Sequence, residues 1–281
     1  MRPVKTALIC VAAAVAVLLA GCESNPVTGR HQLMIVPESM AISESAAAYN
    51  QMIGGLSQKK QIETGTPRVA RVREITNRLI AQTIRYRPEA ANWKWEVEVI
   101  NDPKTVNAFC MAGGKMAIYT GMWDKLHATD EEVAQVMGHE IGHALAGHTQ
   151  ERMSVAMTSG LGLAVLGAVV APRDQTGLAM TGAAAAAVVA IQLPNSRESE
   201  SEADRIGIEL AARAGYDPAS AVALWEKMGK LGGQPPEWLS THPSPEHRQA
   251  KLKELGAQMQ GYYVAAKAAR PETRQFLSTS R

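Results

Sequence analysis

Between Glu131 and Gln150 the chain reads EEVAQVMGHEIGHALAGHTQ. This stretch constrains the fold more than any other. Thr129 or Asp130 can cap a helix here, and Glu131 and Glu132 suit its positive end, so a helix over 129–153 is expected. Positions four apart share a helix face, which turns His139 and His143 the same way, near enough to hold one metal ion. Glu140 is rotated about 100° from His139 and stands beside that ion rather than on it. The histidines lie among Val136, Met137, Ile141, Ala144 and Leu145. A buried imidazole needs a partner, which argues against two idle surface histidines. Gly142 and Ala144 carry little bulk, so another segment can approach closely.

Two neutral imidazoles suit zinc, and a glutamate in this position can take a proton from the attacking water. Such a site needs a third protein ligand and an open position. The segment RESESEADRIG supplies candidates. Glu200 and Asp204 are four apart on a polar helix. Glu200 can bind the ion while Asp204 accepts a hydrogen bond from the far nitrogen of a ligand histidine, fixing its tautomer. Glu198 and Glu202 compete for the first role, and spacing does not exclude them. His148, nine residues after His139, would point about 180° away on a continuous helix and reads as structural. His31, His127 and His247 belong to no constellation.

The rest of the chain reads as mainly helical with a small β-sheet, an α+β fold. Helical spacing runs through MAISESAAAYNQMIGGL and RVARVREITNRLIAQTI. WKWEVEVIND alternates as a strand, and NAFCMAGGKMAIYTGMW holds a Gly-Gly turn before a second alternating run. Helices over RESESEADRIGIELAARAG, ASAVALWEKMGK and QAKLKELGAQMQGYYVAAKAA follow, with the loop QPPEWLSTHPSPEHR between the last two. Two Gly/Ala-rich apolar runs fill 155–193. They read as a membrane hairpin or as packed helices covering the cleft, and their length and small residues favour the cover.

At the N-terminus, MRPVK precedes a long apolar run ending in LLAGC. Residues 1–21 read as an export signal, and the ending resembles a bacterial lipobox that would make Cys22 the lipidated first residue. Glu23 leans towards the outer membrane by resemblance to sorting rules. Residues 22–38 read as a tether with a strand-like patch at QLMIV, 39–270 as the folded domain, and 271–281 as a flexible tail. With Cys10 removed and Cys22 lipidated, Cys110 has no disulfide partner and reads as a small buried hydrophobe. Lys and Arg total 29 against 27 Asp and Glu, with no basic block, which argues against nucleic acid as a partner.

HEIGHALAGH, SRESESEADRIG and STHPSPEHR, in that order, resemble family forty-eight of the metallopeptidases. It includes the CAAX prenyl proteases, the HtpX-type membrane proteases and the Oma-type mitochondrial proteases, and the chain is most similar to its small bacterial lipoprotein members. The resemblance covers roughly residues 40–255. It implies a zincin (gluzincin) fold with a mixed sheet carrying an edge strand, and one Zn2+ held by His139, His143 and Glu200 with Asp204 behind. It implies that Glu140 is the general base and that His242, beside Pro243, approaches the metal as a fourth ligand or an oxyanion donor. Arg248 is expected near a carboxylate. The exposed substrate strand maps onto KMAIYTG, led by Lys115, Met116, Ala117, Ile118 and Tyr119. The implied task is cleavage of unfolded or misassembled envelope proteins by a lipid-anchored enzyme facing the periplasm, with outer-membrane assembly machinery as a possible partner. The alternative is a zinc-containing assembly factor or chaperone with little proteolysis.

Overall fold

The computed structural model describes residues 22–25, 27–158, 194–231, 237–242, 248–269 and 275–278. The fold is mostly helical with a small mixed sheet, as expected. The signal region and the apolar stretch from 159 to 193 lie outside the described residues. Among the described residues no helix is long and apolar enough to cross a membrane.

At its centre lies α4 (Asp130–Leu145), numbering the described helices in chain order. Its start is a capping box: Thr129 accepts from the Glu132 N–H, and Glu132 accepts from the Thr129 N–H. From Glu132 to Leu145 every residue is buried. Only a helix enclosed on all sides can carry so many small and apolar residues around its whole circumference. Around it pack α2 (Pro67–Tyr86), α6 (Arg197–Arg213), α7 (Ser220–Lys230) and the sheet. Ile75, Leu79, Met137, Ile141 and Ile206 form the shared core.

The crossing of α4 with α6 is unusually close. A Cβ on Gly207 would stand 2.6 Å from the His139 backbone nitrogen, and one on Gly138 would stand 2.8 Å from the Gly207 carbonyl oxygen. Gly142 meets Ala203 in the same way, as its lack of bulk suggested. This contact of backbones brings the carboxylates of α6 over the histidines of α4.

The helix expected over 129–153 is in fact two. α4 ends at Leu145, Gly147 takes φ +64°, and α5 (His148–Thr158) leaves in a new direction. A glycine adopts that left-handed conformation without the Cβ clash other residues meet. His148 therefore opens a second helix instead of lying on the back of the first.

Three strands, β3 (Glu96–Ile100), β4 (Ala108–Met111) and β5 (Lys115–Tyr119), form a sheet in the order β3-β5-β4. β3 and β5 are parallel, whereas β4 and β5 form a hairpin closed by Gly113 and Gly114, both at positive φ. This corrects the substrate-strand expectation. Lys115, Met116, Ala117, Ile118 and Tyr119 form the middle strand, with both hydrogen-bonding edges taken by neighbours. Among the described residues, the edge without a strand partner beside α4 belongs to β4.

Asn25, Gln32 and Val36 are buried against the domain. β1 (Cys22–Ser24) and β2 (His31–Leu33) pair as an antiparallel hairpin. The long helix α1 (Glu38–Gln58) then runs past β4 and β5. Within the tail expected to fray, the Phe276 and Leu277 N–H groups donate to Asn77 Oδ1, and Leu277 is buried. The Asn77 amide also donates to Gln275 Oε1, and the Ser278 N–H donates to the Trp95 carbonyl, so both ends of this short segment are held.

Candidate active site

α4 presents His139 and His143 on one face, with their Nε2 atoms 3.0 Å apart. Across the glycine crossing, α6 places Glu200 Oε1 3.3 Å from His143 Nε2 and Oε2 3.6 Å from His139 Nε2. A third element, the short helix α8 (Glu237–Thr241), leads directly into His242. One ligand atom from each of His139, His143, Glu200 and His242 lies within 4.8 Å of all the others, and all four residues are buried.

The donor set suits a divalent cation. Glu200 Oε1 is fully buried and has no hydrogen-bond donor among the described residues. A buried carboxylate oxygen without a donor is costly unless a cation faces it. Two imidazoles meeting at 3.0 Å match the roughly 3.3 Å between nitrogens on one tetrahedral zinc. Burial, followed by the charges of His139 and His148, pushes the His143 imidazole well below the usual histidine range. Burial does the same for His242. Both are then neutral, the state in which imidazole binds metal. His139 behaves otherwise. Burial pushes it down, but its contact with Asp204 and the charges of Glu200 and Asp204 outweigh this and raise it.

The surrounding contacts fix these rings. Asp204 Oδ1 lies 3.0 Å from His139 Nδ1. Arg248 donates to both carboxylates, 2.7 Å to Glu200 Oε2 and 2.7 Å to Asp204 Oδ1, while its guanidinium stacks on Trp225. The two acidic side chains would repel without that cation. Glu198, one competitor for the ligand role, is exposed, and Glu202, the other, turns away to His148 and Arg30. The choice that spacing left open is thus made by the rotation of α6.

Glu140 points out of α4 on the cleft side. Burial pushes its carboxyl up to about 7, even though the charge of His139 and a hydrogen bond from Trp238 pull it down. The Trp238 Nε1–H donates to Glu140 Oε1 at 2.7 Å, and its ring stacks on His242. His242 Nδ1 lies 3.0 Å from the Trp238 carbonyl oxygen. A proton on Nδ1 leaves Nε2 bare towards the cluster, 3.3 Å from Glu140 Oε1.

Sequence reasoning missed Trp238. The signal was available: Trp238 and His242 are four apart, the same spacing that singled out His139 and His143. It also missed that His148 contacts His143, with the two Nδ1 atoms 2.7 Å apart. Gly147 carried the warning that the helix would break there. Of the remaining histidines, His31 meets Ser24 and no other side chain among the described residues, His127 takes φ +49° in the connection before α4, and His247 lies outside the described residues. Cys110 is buried as expected, in the wall of the cleft.

A cleft of about 370 Å3 opens beside Glu140, His143 and His242. One wall is Asn107 to Met111, that is, β4 and the residue before it. Ala48 and Met52 of α1 and Arg152 of α5 also line it. The Tyr119 N–H donates to the Asn107 carbonyl, so Asn107, Phe109 and Met111 turn their backbone groups to β5. By strand alternation Ala108 and Cys110 turn theirs to the free edge.

The sequence profile described as peptidase family M48 matches residues 67–256. Similar proteins include the mitochondrial metalloendopeptidase OMA1 of Arabidopsis thaliana, 44% identical over 159 residues, covering 56% of this chain and 31% of that protein. The mitochondrial metalloendopeptidase OMA1 of Bos taurus is 34% identical over 247 residues, covering 83% of this chain and 46% of that protein. The metalloprotease LoiP of Escherichia coli strain K12 is 33% identical over 158 residues, covering 54% of this chain and 59% of that protein. The match thus spans less than two thirds of the length of each of these relatives.

Proposed function

The chain belongs to peptidase family M48, and from that premise we propose that it is a zinc metalloendopeptidase that cuts extended segments of unfolded or misassembled envelope proteins. One observation carries the reading: Glu140, two members of the donor cluster (His143 and His242) and the β4 strand line the same cleft.

His139, His143 and Glu200 would hold the ion. When bound, it supplies Lewis-acid polarisation of the scissile carbonyl and of the attacking water. The chain's own groups do the rest. The Ala108 carbonyl and the Cys110 backbone groups would pair with an extended substrate, which adds to the sheet as a fourth strand, the Ala108 N–H being given to Asn107 Oδ1. Glu140 takes the proton of the attacking water and passes it to the leaving amine nitrogen. Burial raises this carboxyl in the metal-free protein, and a cation held beside it would favour the carboxylate, the form that takes a proton. Trp238 aims one Glu140 oxygen, which leaves the other for the proton. His242 stands where the open position should be. It has to swing aside for substrate, and from there its ring can donate to the developing oxyanion.

An address in the bacterial envelope rests on the basic and apolar N-terminus ending at LLAGC, with lipid on Cys22 holding the protein to a membrane on the periplasmic side. The β1–β2 hairpin, joined to the end of α4 through Asn25 and Gln32, would then keep the domain close to that membrane.

A second reading has its own observation. His242 already completes the donor cluster, which describes a closed enzyme, or an assembly factor that seldom cuts. Zinc content measured together with casein cleavage separates the readings. Stoichiometric zinc, with cleavage lost in Glu140→Gln, is the expected result. Zinc without cleavage, but cleavage in His242→Ala, means a latent enzyme held shut by that histidine. Absence of zinc removes the proposal.

A further inference from the structure

The metal centre has a second line of support that begins far away in sequence. His143 faces the donor cluster with Nε2 and leaves Nδ1 pointing outward. Nδ1 lies 2.7 Å from His148 Nδ1. On its far side, His148 Nε2 lies 2.9 Å from Glu202 Oε2. Glu202 in turn is gripped by Arg30, whose Nε donates to both carboxylate oxygens at 3.1 and 3.0 Å. The same guanidinium forks onto Glu151 at 2.7 and 2.6 Å.

One distribution of protons satisfies every contact in this chain. A ligand nitrogen must be bare, so the ring proton of His143 sits on Nδ1 and donates to His148 Nδ1. That leaves the proton of His148 on Nε2, where it donates to the Glu202 carboxylate. His139 has a carboxylate directly behind it in Asp204. His143 has one behind an intervening imidazole.

The β1–β2 hairpin fixes the outer end. Gln32 Nε2 and Asn25 Nδ2 both donate to the Ala146 carbonyl, at 3.0 and 2.7 Å, where α4 ends. Gln32 also reaches Glu151, and Asn25 donates to Gln32 at 2.8 Å. Both amides are buried, and His148 is wholly enclosed. A loose tether does not bury two polar side chains and direct both amides at the end of the metal-binding helix.

We propose that Arg30, held by the β1–β2 hairpin, is a positioning residue for the metal site, orienting the ligand His143 through Glu202 and His148. The proposal rests on the reading of His143 as a ligand. Carboxylates behind ligand histidines change metal affinity by roughly 10- to 100-fold. Arg30 acts through two intermediates, so the lower end of that range applies.

The test is chelator competition for Zn2+ with the whole protein, with the visible spectrum of the Co2+ form as a second readout and melting of the metal-free form as a control. Arg30→Ala should weaken zinc binding about tenfold and alter the Co2+ spectrum. Arg30→Lys, which keeps the charge but cannot fork, should recover part of the loss. In a His148→Ala background, Arg30→Ala should produce no further change in affinity, because the link is already cut. Wild-type affinity and spectrum in Arg30→Ala overturn the proposal. So does an undiminished effect of Arg30→Ala in the His148→Ala background, which would mean that Arg30 acts only through general stability. No zinc binding by the wild-type protein overturns the ligand reading itself and the relay with it.

Discussion

Glu140 is the residue in which chemistry and stability oppose each other. Its carboxyl is raised from 4.5 to about 7, first by burial. The folded metal-free protein therefore holds this proton more tightly than the unfolded chain does. Its contribution to stability is full below about 4.5 and is lost as pH rises through about 7. The span corresponds to on the order of 3 kcal/mol. Glu140→Gln removes the charge and keeps an oxygen for Trp238. Above pH 7 the metal-free variant should melt higher than the metal-free wild type, and near pH 4.5 the difference should vanish, while cleavage is abolished in the metal-loaded form. Denaturant titrations at pH 4.5 and 8 check this, and equal stabilities at pH 8 would contradict the burial argument. Trp238 acts on the same group in the opposite direction, because its N–H favours the carboxylate. Trp238→Phe keeps most of the packing and removes the donor. The acid limb of kcat/KM should move to higher pH, and an unmoved limb would show that the indole N–H does not tune the base.

At the scale of elements, the site is made by two helices touching. Gly138, Gly142 and Gly207 let α4 and α6 approach until Glu200 meets both histidines. Gly207→Ala would set a methyl 2.6 Å from the His139 backbone nitrogen, with backbone on both sides and no flexible atom to yield. Overpacking of this kind costs about 1–3 kcal/mol, and moving the helices apart would also carry Glu200 away. The variant should lose stability and bind zinc at least tenfold more weakly. Retained affinity in a destabilised protein would mean that the carboxylate follows the histidines by a rotamer change. Much of this was legible. The four-residue spacing of His139 and His143, and of Glu200 and Asp204, gives the correct faces, because a helix converts spacing into direction whatever lies around it. What spacing does not convey is rotation about the axis of α6, so Glu202 stayed a rival to Glu200 until the crossing with α4 was seen. The strand assignment failed for a related reason. Alternation marks 115–119 as a strand, but its middle place depends on the parallel pairing with Glu96–Ile100, a contact between separate segments. QLMIV showed a strand-like patch, yet the contacts of Arg30 and Gln32 with the end of α4, with α5 and with α6 reach partners 114 or more residues away.

Across the whole molecule the four candidate ligand residues come from segments far apart in the chain: 139 and 143 on α4, 200 on α6, and 242 at the end of α8. A bound ion would therefore fasten three elements together. α4 and α6 are joined in any case by their glycine crossing. α8 is a helix of only five residues. It is held by the Trp238 N–H on the Val106 carbonyl, the Asn195 N–H on the Thr241 carbonyl, and the stacking of Trp238 on His242. The stabilisation from an ion grows with its concentration over Kd and reaches about 2.7 kcal/mol at a hundredfold excess. In a protein of this size that is a shift of roughly 5–10 °C in Tm. Stripping the ion with a chelator should lower Tm by that amount in the wild type, and by less in His242→Ala, which keeps three ligands but no longer ties α8 to them. Hydrogen exchange should place the new opening in 237–242 and leave α4 and α6 protected. Equal shifts in the two proteins would mean that His242 does not reach the metal at rest, and the cleft would then stand open to substrate without any movement of α8.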